Sequence, residues 1–288
     1  MFKKAVKQQK KLRMAITGTA GSGKTFTALS IADGLGGPVA LIDTEHGSAS
    51  LYSDLFDFDT VELTNFHPKH YAEAITAAVA AGYKVLIIDS ISHAWKGVGG
   101  VLEIKDNMSD QNRFTAWKEP DKIQNQFIEA ILSADIHIIA TMRSKMAYAE
   151  QMEGTKKVIK KLGLAPIQRD GVEYEFDVVM DMNEATGTIS KTRCLELKND
   201  VIEHPGKEFG ERVLRWLDSG IKMMTLKDAE AFMDTAATEE DLKVIGESFK
   251  AQLAEKDIHP AKVYYAKKMN AMRAALKAEA EAEAEAEK

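Results

Sequence analysis

A single cysteine, Cys194, stands among 288 residues. One thiol closes no intramolecular disulfide and builds no cysteine-based metal cluster, so the fold has to rest on its hydrophobic core. Long apolar runs are missing as well. Those present are short, such as Val85 to Ile88 and Ile138 to Ala140, far below the ~20 residues of a membrane-spanning helix, which predicts a soluble protein with no membrane partner. The basic N-terminus runs directly into a strand-like segment without a secretory apolar region or a small-residue cleavage site, and a cytoplasmic location is expected. What is present is ordinary globular material. Apolar side chains make up 45% of the chain and charged ones 28%, which excludes a fibrous or mostly disordered protein and allows one large or two small domains.

The formal net charge of −6 argues against indiscriminate nucleic-acid binding over the whole surface. The distribution is uneven, however. Residues 1–13 hold six basic groups (Lys3, Lys4, Lys7, Lys10, Lys11 and Arg13) and no acid. Between Arg143 and Arg169 seven basic groups (Arg143, Lys145, Lys156, Lys157, Lys160, Lys161 and Arg169) face only Glu150 and Glu153. The last twelve residues carry five glutamates against two lysines, so acid elsewhere conceals two basic patches.

Short β-branched runs alternate with longer helical patterns, which predicts an α/β fold with a mostly parallel sheet flanked by helices. Strand-like runs are Leu12 to Thr17, Val39 to Asp43, Thr60 to Leu63, Lys84 to Asp89, Ile136 to Thr141 and Phe176 to Met182; helical stretches are Lys24 to Leu35, His70 to Ala81 and Asp121 to Ala134. Several strands are apolar at consecutive positions, as expected when both faces are covered. Turn-rich Asn183 to Thr188 followed by the mixed run Ile189 to Leu197 predicts a late β-hairpin at the sheet edge. Residues 207–218 read as a helix with Phe209, Val213, Leu214 and Leu217 on one face, ended by Gly220. Two further helices are expected. One is capped by Thr238 and carries Leu242, Ile245, Phe249 and Leu253; the other starts at Pro260 and carries Tyr265, Met269, Met272 and Leu276. The predicted organisation is a basic arm over 1–13, a core over 14–220 and a helical appendage over 221–288 ending in an acidic Ala/Glu tail.

The chemistry centres on Gly18, Thr19, Ala20, Gly21, Ser22, Gly23, Lys24 and Thr25, which match G-x-x-x-x-G-K-[ST] directly after a strand and before a helix. In that context the glycines turn backbone N–H groups toward phosphate oxygens, Lys24 neutralises β- and γ-phosphate charge, and the Thr25 hydroxyl ligates Mg2+. Asp89, closing the buried run from Val85, is the expected second group on the metal side. Hydrolysis also needs a carboxylate that polarises water, and Glu45 is the candidate, with Asp43 as the alternative and a purely structural role for both also open. Four lysines in six residues, Lys156, Lys157, Lys160 and Lys161, lie in the stretch Met146 to Pro166, whose length and glycines suggest a loop or hairpin; they can neutralise phosphates without reading sequence, or simply be solvated. Tyr148 could stack on a base; Trp95 and Trp117 fit local packing anchors better than base platforms. His67 and His70 lack a third ligand and read as surface histidines.

The segment Ile42-Asp43-Thr44-Glu45-His46, with its glutamate after the second strand, resembles RecA, and Val85 to Ser90 resembles the RecA Walker B segment. Ser90 occupies the place where AAA+ proteins put their glutamate, which favours a RecA-like P-loop NTPase. From Met14 to Gly220 the chain is similar to the phage-type RecA-core ATPases grouped with the Sak single-strand annealing proteins, on these segments together with Thr141 to Lys145, Ala165 to Gly171, Glu173 to Asp177 and Lys191 to Cys194. The resemblance implies an ATP-dependent protein that binds single-stranded DNA and promotes annealing or strand exchange, beside a single-strand-binding protein, in a bacterial host's cytoplasm if phage-encoded. It implies a γ-phosphate sensor at Thr141, although the RecA sensor glutamine has no evident counterpart, and a DNA loop opening at Arg143 and Lys145. Lys191 and Arg193 correspond to a Lys-x-Arg pair that acts on a neighbouring subunit's nucleotide, which requires a homo-oligomer, ring or filament. A nucleotide-switched interaction protein and a P-loop kinase are the alternative readings.

Overall fold

The computed structural model describes residues 4–108, 117–153, 156–248, 252–253 and 255–286. These fall into two compact units, residues 11–217 and residues 1–10 with 218–288. In chain order the larger unit contains β1 (Arg13–Gly18), α1 (Lys24–Leu35), β2 (Val39–Asp43), β3 (Asp59–Glu62), α2 (Pro68–Ala80), β4 (Val85–Asp89), α3 (Ser92–Lys96), α4 (Val101–Asn107), α5 (Lys118–Ser133), β5 (His137–Glu153), β6 (Lys156–Pro166), β7 (Val178–Asn183), β8 (Thr186–Thr192), β9 (Val201–Glu203) and α6 (Lys207–Asp218).

The sheet runs β3-β2-β4-β5-β1-β7-β8-β9. It is parallel from β3 to β7 and antiparallel at β7-β8 and β8-β9. Side chains alternate between two apolar layers. Leu12, Met14 and Ile16 point into one with α1 and α6, while Ala15 points into the other with α2 and α5; Val85 and Ile87 oppose Leu86 and Ile88 in the same way. That double burial is why these strands read as unbroken apolar runs. On the first layer α1 and α6 approach closely at two glycines: a Cβ on Gly34 would lie 2.1 Å from the Lys207 carbonyl oxygen, and one on Gly210 would lie 2.3 Å from that of Ile31.

Several expectations are corrected. Arg13 is no part of a free basic arm: it is 3% exposed, and its guanidinium donates to the carbonyls of Leu12 (2.8 Å), Ile136 (2.7 Å), Leu132 (3.0 Å) and Ala134. Of the two readings of Met146 to Pro166 the hairpin holds and the loop does not, because β5 continues far beyond the sheet and pairs antiparallel with β6 from Ser144 and Pro166 outward. In the late hairpin the turn is only Glu184 and Ala185, both at positive φ (44° and 63°), so Thr186 to Thr188 are already strand. A two-residue turn of that kind normally announces itself by Asn-Gly or Asp-Gly, and here it does not.

Among the described residues the smaller unit holds α7 (Leu226–Asp234), α8 (Glu239–Ser248) and α9 (Glu255–Ala286), three helices where two were expected. Helix α7 escapes a stripe search because it is short, yet its capping box is clear: the Asp228 amide donates to Thr225 Oγ1 at 3.1 Å and the Thr225 amide to Asp228 Oδ2 at 3.1 Å. Thr238 and Asp241 make the same reciprocal pair before α8. Pro260 lies inside α9 rather than at its start. Ala229, Met233, Leu242, Leu253, Ala261 and Met269 form a core of their own; Phe249 lies outside the described residues. Among the described residues no helix is long and apolar enough to cross a membrane.

Candidate functional site

The C-terminal ends of the parallel strands converge, as open α/β sheets require of a binding crevice. Register places Gly18 level with Arg143 and Asp43 level with Asp89. Between β1 and α1 the loop turns at Gly21 (φ 76°) and Gly23 (φ 87°), a conformation that costs glycine little and a side-chain-bearing residue much. Lys24 Nζ folds back over this loop to the Thr19 carbonyl at 2.7 Å. Ser22 Oγ is buried with no hydrogen-bond partner, a polar atom whose need a phosphate oxygen would meet.

One residue past Lys24, the Thr25 hydroxyl donates to Asp89 Oδ2 at 2.5 Å, and Thr141 donates to Oδ1 of the same carboxylate. Burial holds the Asp89 carboxyl above its ordinary range against these two bonds, and the charges of Glu45 and Asp43 add to the rise. Burial also pulls the Lys24 ammonium below its ordinary value, opposed by Asp89 and Glu45. Among the described residues no group of three or more His, Cys, Asp or Glu could hold a metal unaided. A threonine hydroxyl beside one carboxylate instead suits Mg2+, which keeps several waters and takes other ligands from substrate phosphates.

Glu45 lies beyond β2, its carboxylate gripped by Arg143: Nε donates to Oε1 at 2.8 Å and a terminal nitrogen to Oε2. Burial pushes that carboxyl up, but the Arg143 bonds and charge, helped by His93 and Lys24, outweigh it and leave it below its ordinary value. Asp43 has different work. It is 1% exposed and accepts from the amides of Glu45 (2.6 Å) and Ala49 (3.2 Å), which leaves Glu45 as the carboxylate turned to the site.

A second tier of polar residues was not legible beforehand. Thr44 Oγ1 accepts from the Ser90 amide at 2.8 Å and lies 2.7 Å from His93 Nδ1, tying β2 to the turn after β4. Burial first, then the charge of Arg143, lowers the His93 pKa. Gln168 is buried and bridges α5 to that turn, accepting from Gln124 at 3.1 Å and donating to the Ile91 carbonyl at 2.9 Å.

Other expected site residues are placed elsewhere. Arg143 is held at Glu45 rather than on a lysine loop, while Lys145 stands in the second pair of the ribbon, opposite Ala165. Lys156, Lys157, Lys160 and Lys161 belong to the β6 backbone, opposite Glu153, Met152, Ala149 and Tyr148; the side chains of these lysines and of Tyr148 lie outside the described residues. Lys191 and Arg193 sit at the opposite end of the sheet from the phosphate loop of their own chain. Lys191 pairs with Val179, which is level with Ala15, and the Arg193 amide reaches the Asp177 carbonyl beside the start of β1. At ~3.3 Å per residue Arg193 is therefore about 16 Å from Gly18 along the strand. Lys191 Nζ donates to the carbonyls of Glu173 (3.0 Å), Tyr174 (2.5 Å) and Phe176 (2.6 Å), and Arg193 lies 3.4 Å from Asp177. Trp95 and Trp117 stack on each other with centroids 6.1 Å apart. His67 caps α2, accepting from the Lys69 amide at 3.1 Å.

A family model described as an AAA domain matches residues 10–215. The chain belongs to the AAA domain family. It is accordingly a nucleotide-binding P-loop NTPase-type domain on a RecA-like α/β sheet, with the P-loop strand β1 separated from the Asp89 strand β4 by β5. In this AAA domain Ser90, not an acid, follows Asp89, and the site carboxylate comes from the end of β2. No curated protein matches the sequence. Among solved structures, a structural-study target from Pyrococcus horikoshii OT3 aligns at 7% identity with a TM-score of 0.37, over 68% of this chain and 95% of that one, too loose a superposition to bear on function.

Proposed function

We propose that this AAA domain is a Mg2+-dependent ATPase. The observation that carries the reading is the Thr25 hydroxyl on the Asp89 carboxylate, one residue beyond a lysine folded over a glycine-turned loop. Lys24 and the loop amides hold the phosphates, and Thr25 with Asp89 holds the metal directly or through its water. Mg2+, when bound, neutralises charge on the β- and γ-phosphate oxygens. Glu45 orients a water whose oxygen bonds to the γ-phosphorus as the bond to the bridging oxygen breaks; the water proton passes to Glu45 and ADP leaves with the electron pair.

The finer reading is that ATP turnover serves single-stranded DNA, as in the Sak-type annealing proteins. Its support is the continuity of β5, which carries Thr141 and Arg143 at the nucleotide and then extends into the ribbon where Lys145 and the β6 lysines stand. Aligning several ribbons along one strand calls for a homo-oligomer, ring or filament, with the more exposed Arg193 offered to a neighbour and Lys191 reaching one only by leaving the carbonyls of Glu173, Tyr174 and Phe176, and with a single-strand-binding protein as partner.

The test is steady-state ATP hydrolysis with Mg2+, with and without a poly-pyrimidine strand at two salt concentrations, using Lys24→Ala as the blank. Metal-dependent turnover lost in Lys24→Ala is expected, rising with the strand at low salt. Turnover retained in Lys24→Ala would remove the phosphate-cradle assignment; no strand binding at low salt would leave an ATP-driven switch that acts on protein partners.

A further inference from the structure

Glu45 and Arg143 make incompatible demands on each other. A carboxylate that activates water has to accept its proton, yet Glu45 is clamped by both prongs of a guanidinium fork, Nε on one oxygen and a terminal nitrogen on the other. Such a charge-assisted bidentate pair is a strong and oriented one, and it spends the carboxylate's basicity. The arginine backbone is fixed: its amide donates to Ser92 Oγ at 2.9 Å, level with Gly18 on β1. The side chain is 43% exposed and that of Glu45 24%, so the guanidinium can leave its partner without unpacking the core. Its charge also bears on Lys24, the residue over the phosphate loop. A terminal phosphate presents more negative charge and more acceptor oxygens than one carboxylate, in a geometry that suits the same fork.

We propose that Arg143 is a γ-phosphate reader acting within its own chain: without a triphosphate it clamps Glu45, and a γ-phosphate beside Lys24 draws the guanidinium away and frees Glu45 to orient the attacking water. This inference rests on the ATPase reading of the site. It assigns Arg143 to nucleotide discrimination rather than to DNA, and it makes Glu45 available only when a triphosphate is present. ADP, which lacks the competing phosphate, leaves the clamp closed.

The test is equilibrium binding, by calorimetry with Mg2+, of a non-hydrolysable imido analogue of ATP and of ADP, to the full chain and to Arg143→Ala, Arg143→Lys, Glu45→Gln and the Arg143→Ala/Glu45→Gln double variant. Arg143→Ala is expected to weaken the analogue by about tenfold, the worth of one hydrogen bond to a charged group, with ADP affinity unchanged. Glu45→Gln is isosteric and releases the arginine, so it should tighten the analogue by up to about fivefold, the ceiling for a half-exposed ion pair, again without effect on ADP. In the double variant that gain should vanish. Arg143→Lys, which keeps the charge and loses the fork, should fall between and keeps the test alive if Arg143→Ala does not fold. An unchanged analogue-to-ADP ratio in both arginine variants, or a Glu45→Gln gain that persists in the double variant, would overturn the proposal. Failure of the unaltered chain to bind either nucleotide would bring down the ATPase reading itself, and the clamp with it.

Discussion

His137 makes folding of the larger unit depend on pH in a window that few other groups share. It begins β5, the strand whose far end carries Thr141 and Arg143, and it is 8% exposed. Its Nδ1 accepts from the Leu12 amide at 3.1 Å, a bond that only the neutral ring can make. Burial, then the charges of Lys11 and Arg13, push its pKa down to about 4, with Asp135 opposing. An unfolded histidine takes up its proton near ~6.5. Between those values the unfolded chain therefore holds the extra proton and stability rises with pH; the contribution is complete above the unfolded value and is lost as pH falls toward the folded one. The whole span is worth about 3 kcal/mol, of which roughly 2.5 kcal/mol has gone by about pH 4.5. In a unit of this size that lowers Tm by about 5–10 °C. All three tryptophans, Trp95, Trp117 and Trp216, lie in residues 11–217, so urea unfolding followed by tryptophan fluorescence reports this unit alone. Carboxylates titrate over part of the same range, and the decisive quantity is the difference between the unaltered chain and His137→Asn, whose amide oxygen can still accept from Leu12 but does not titrate. That difference should shift by about 2 kcal/mol or more between about pH 7.5 and 4.5. A shift below about 0.5 kcal/mol would refute the account of a buried neutral imidazole.

Two further outcomes are expected. Gly210→Ala gains about 1 kcal/mol of helix propensity but sets a Cβ 2.3 Å from the Ile31 carbonyl; thermal unfolding should show a net loss of about 1–2 kcal/mol, and a rise in Tm would mean that α1 and α6 separate freely. Replacing Lys156, Lys157, Lys160 and Lys161 together by Ala should weaken single-strand binding and flatten its log–log salt slope by about 0.7 for each phosphate no longer neutralised; an unaltered slope would take the β5–β6 ribbon out of the DNA reading.

Local and periodic features were legible where one stretch of chain carries both the signal and the structure. The loop from Gly18 to Thr25 and the helix from Lys24 to Leu35 are of this kind, and so is Thr238 with Asp241, three residues apart and reciprocally bonded. Boundaries slipped where the cue was weak or borrowed from elsewhere. Glu184 and Ala185 make a tight hairpin turn without the residues that favour positive φ. Pro260 sits inside a helix it would be expected to begin. The stretch from Met146 to Pro166 left loop and hairpin both open, because a strand leaving its sheet keeps no buried face to reveal it.

By itself the sequence determined the alternation of the main parallel strands with α1, α2 and α5, the two-sided burial of the central strands and the phosphate loop, because each depends on residue types within a few positions of one another. Partnership across the sheet was decided only in three dimensions. Arg143 and Glu45 are 98 residues apart, and nothing local in either segment says that one will find the other. The strand order that sets β5 between β1 and β4 brings Thr141 to Asp89, sends Arg143 to Glu45, and carries Lys191 and Arg193 to the opposite end of the sheet. A charged side chain pairs with whatever the packed backbone places within reach, and that placement is a property of the sheet rather than of the residue.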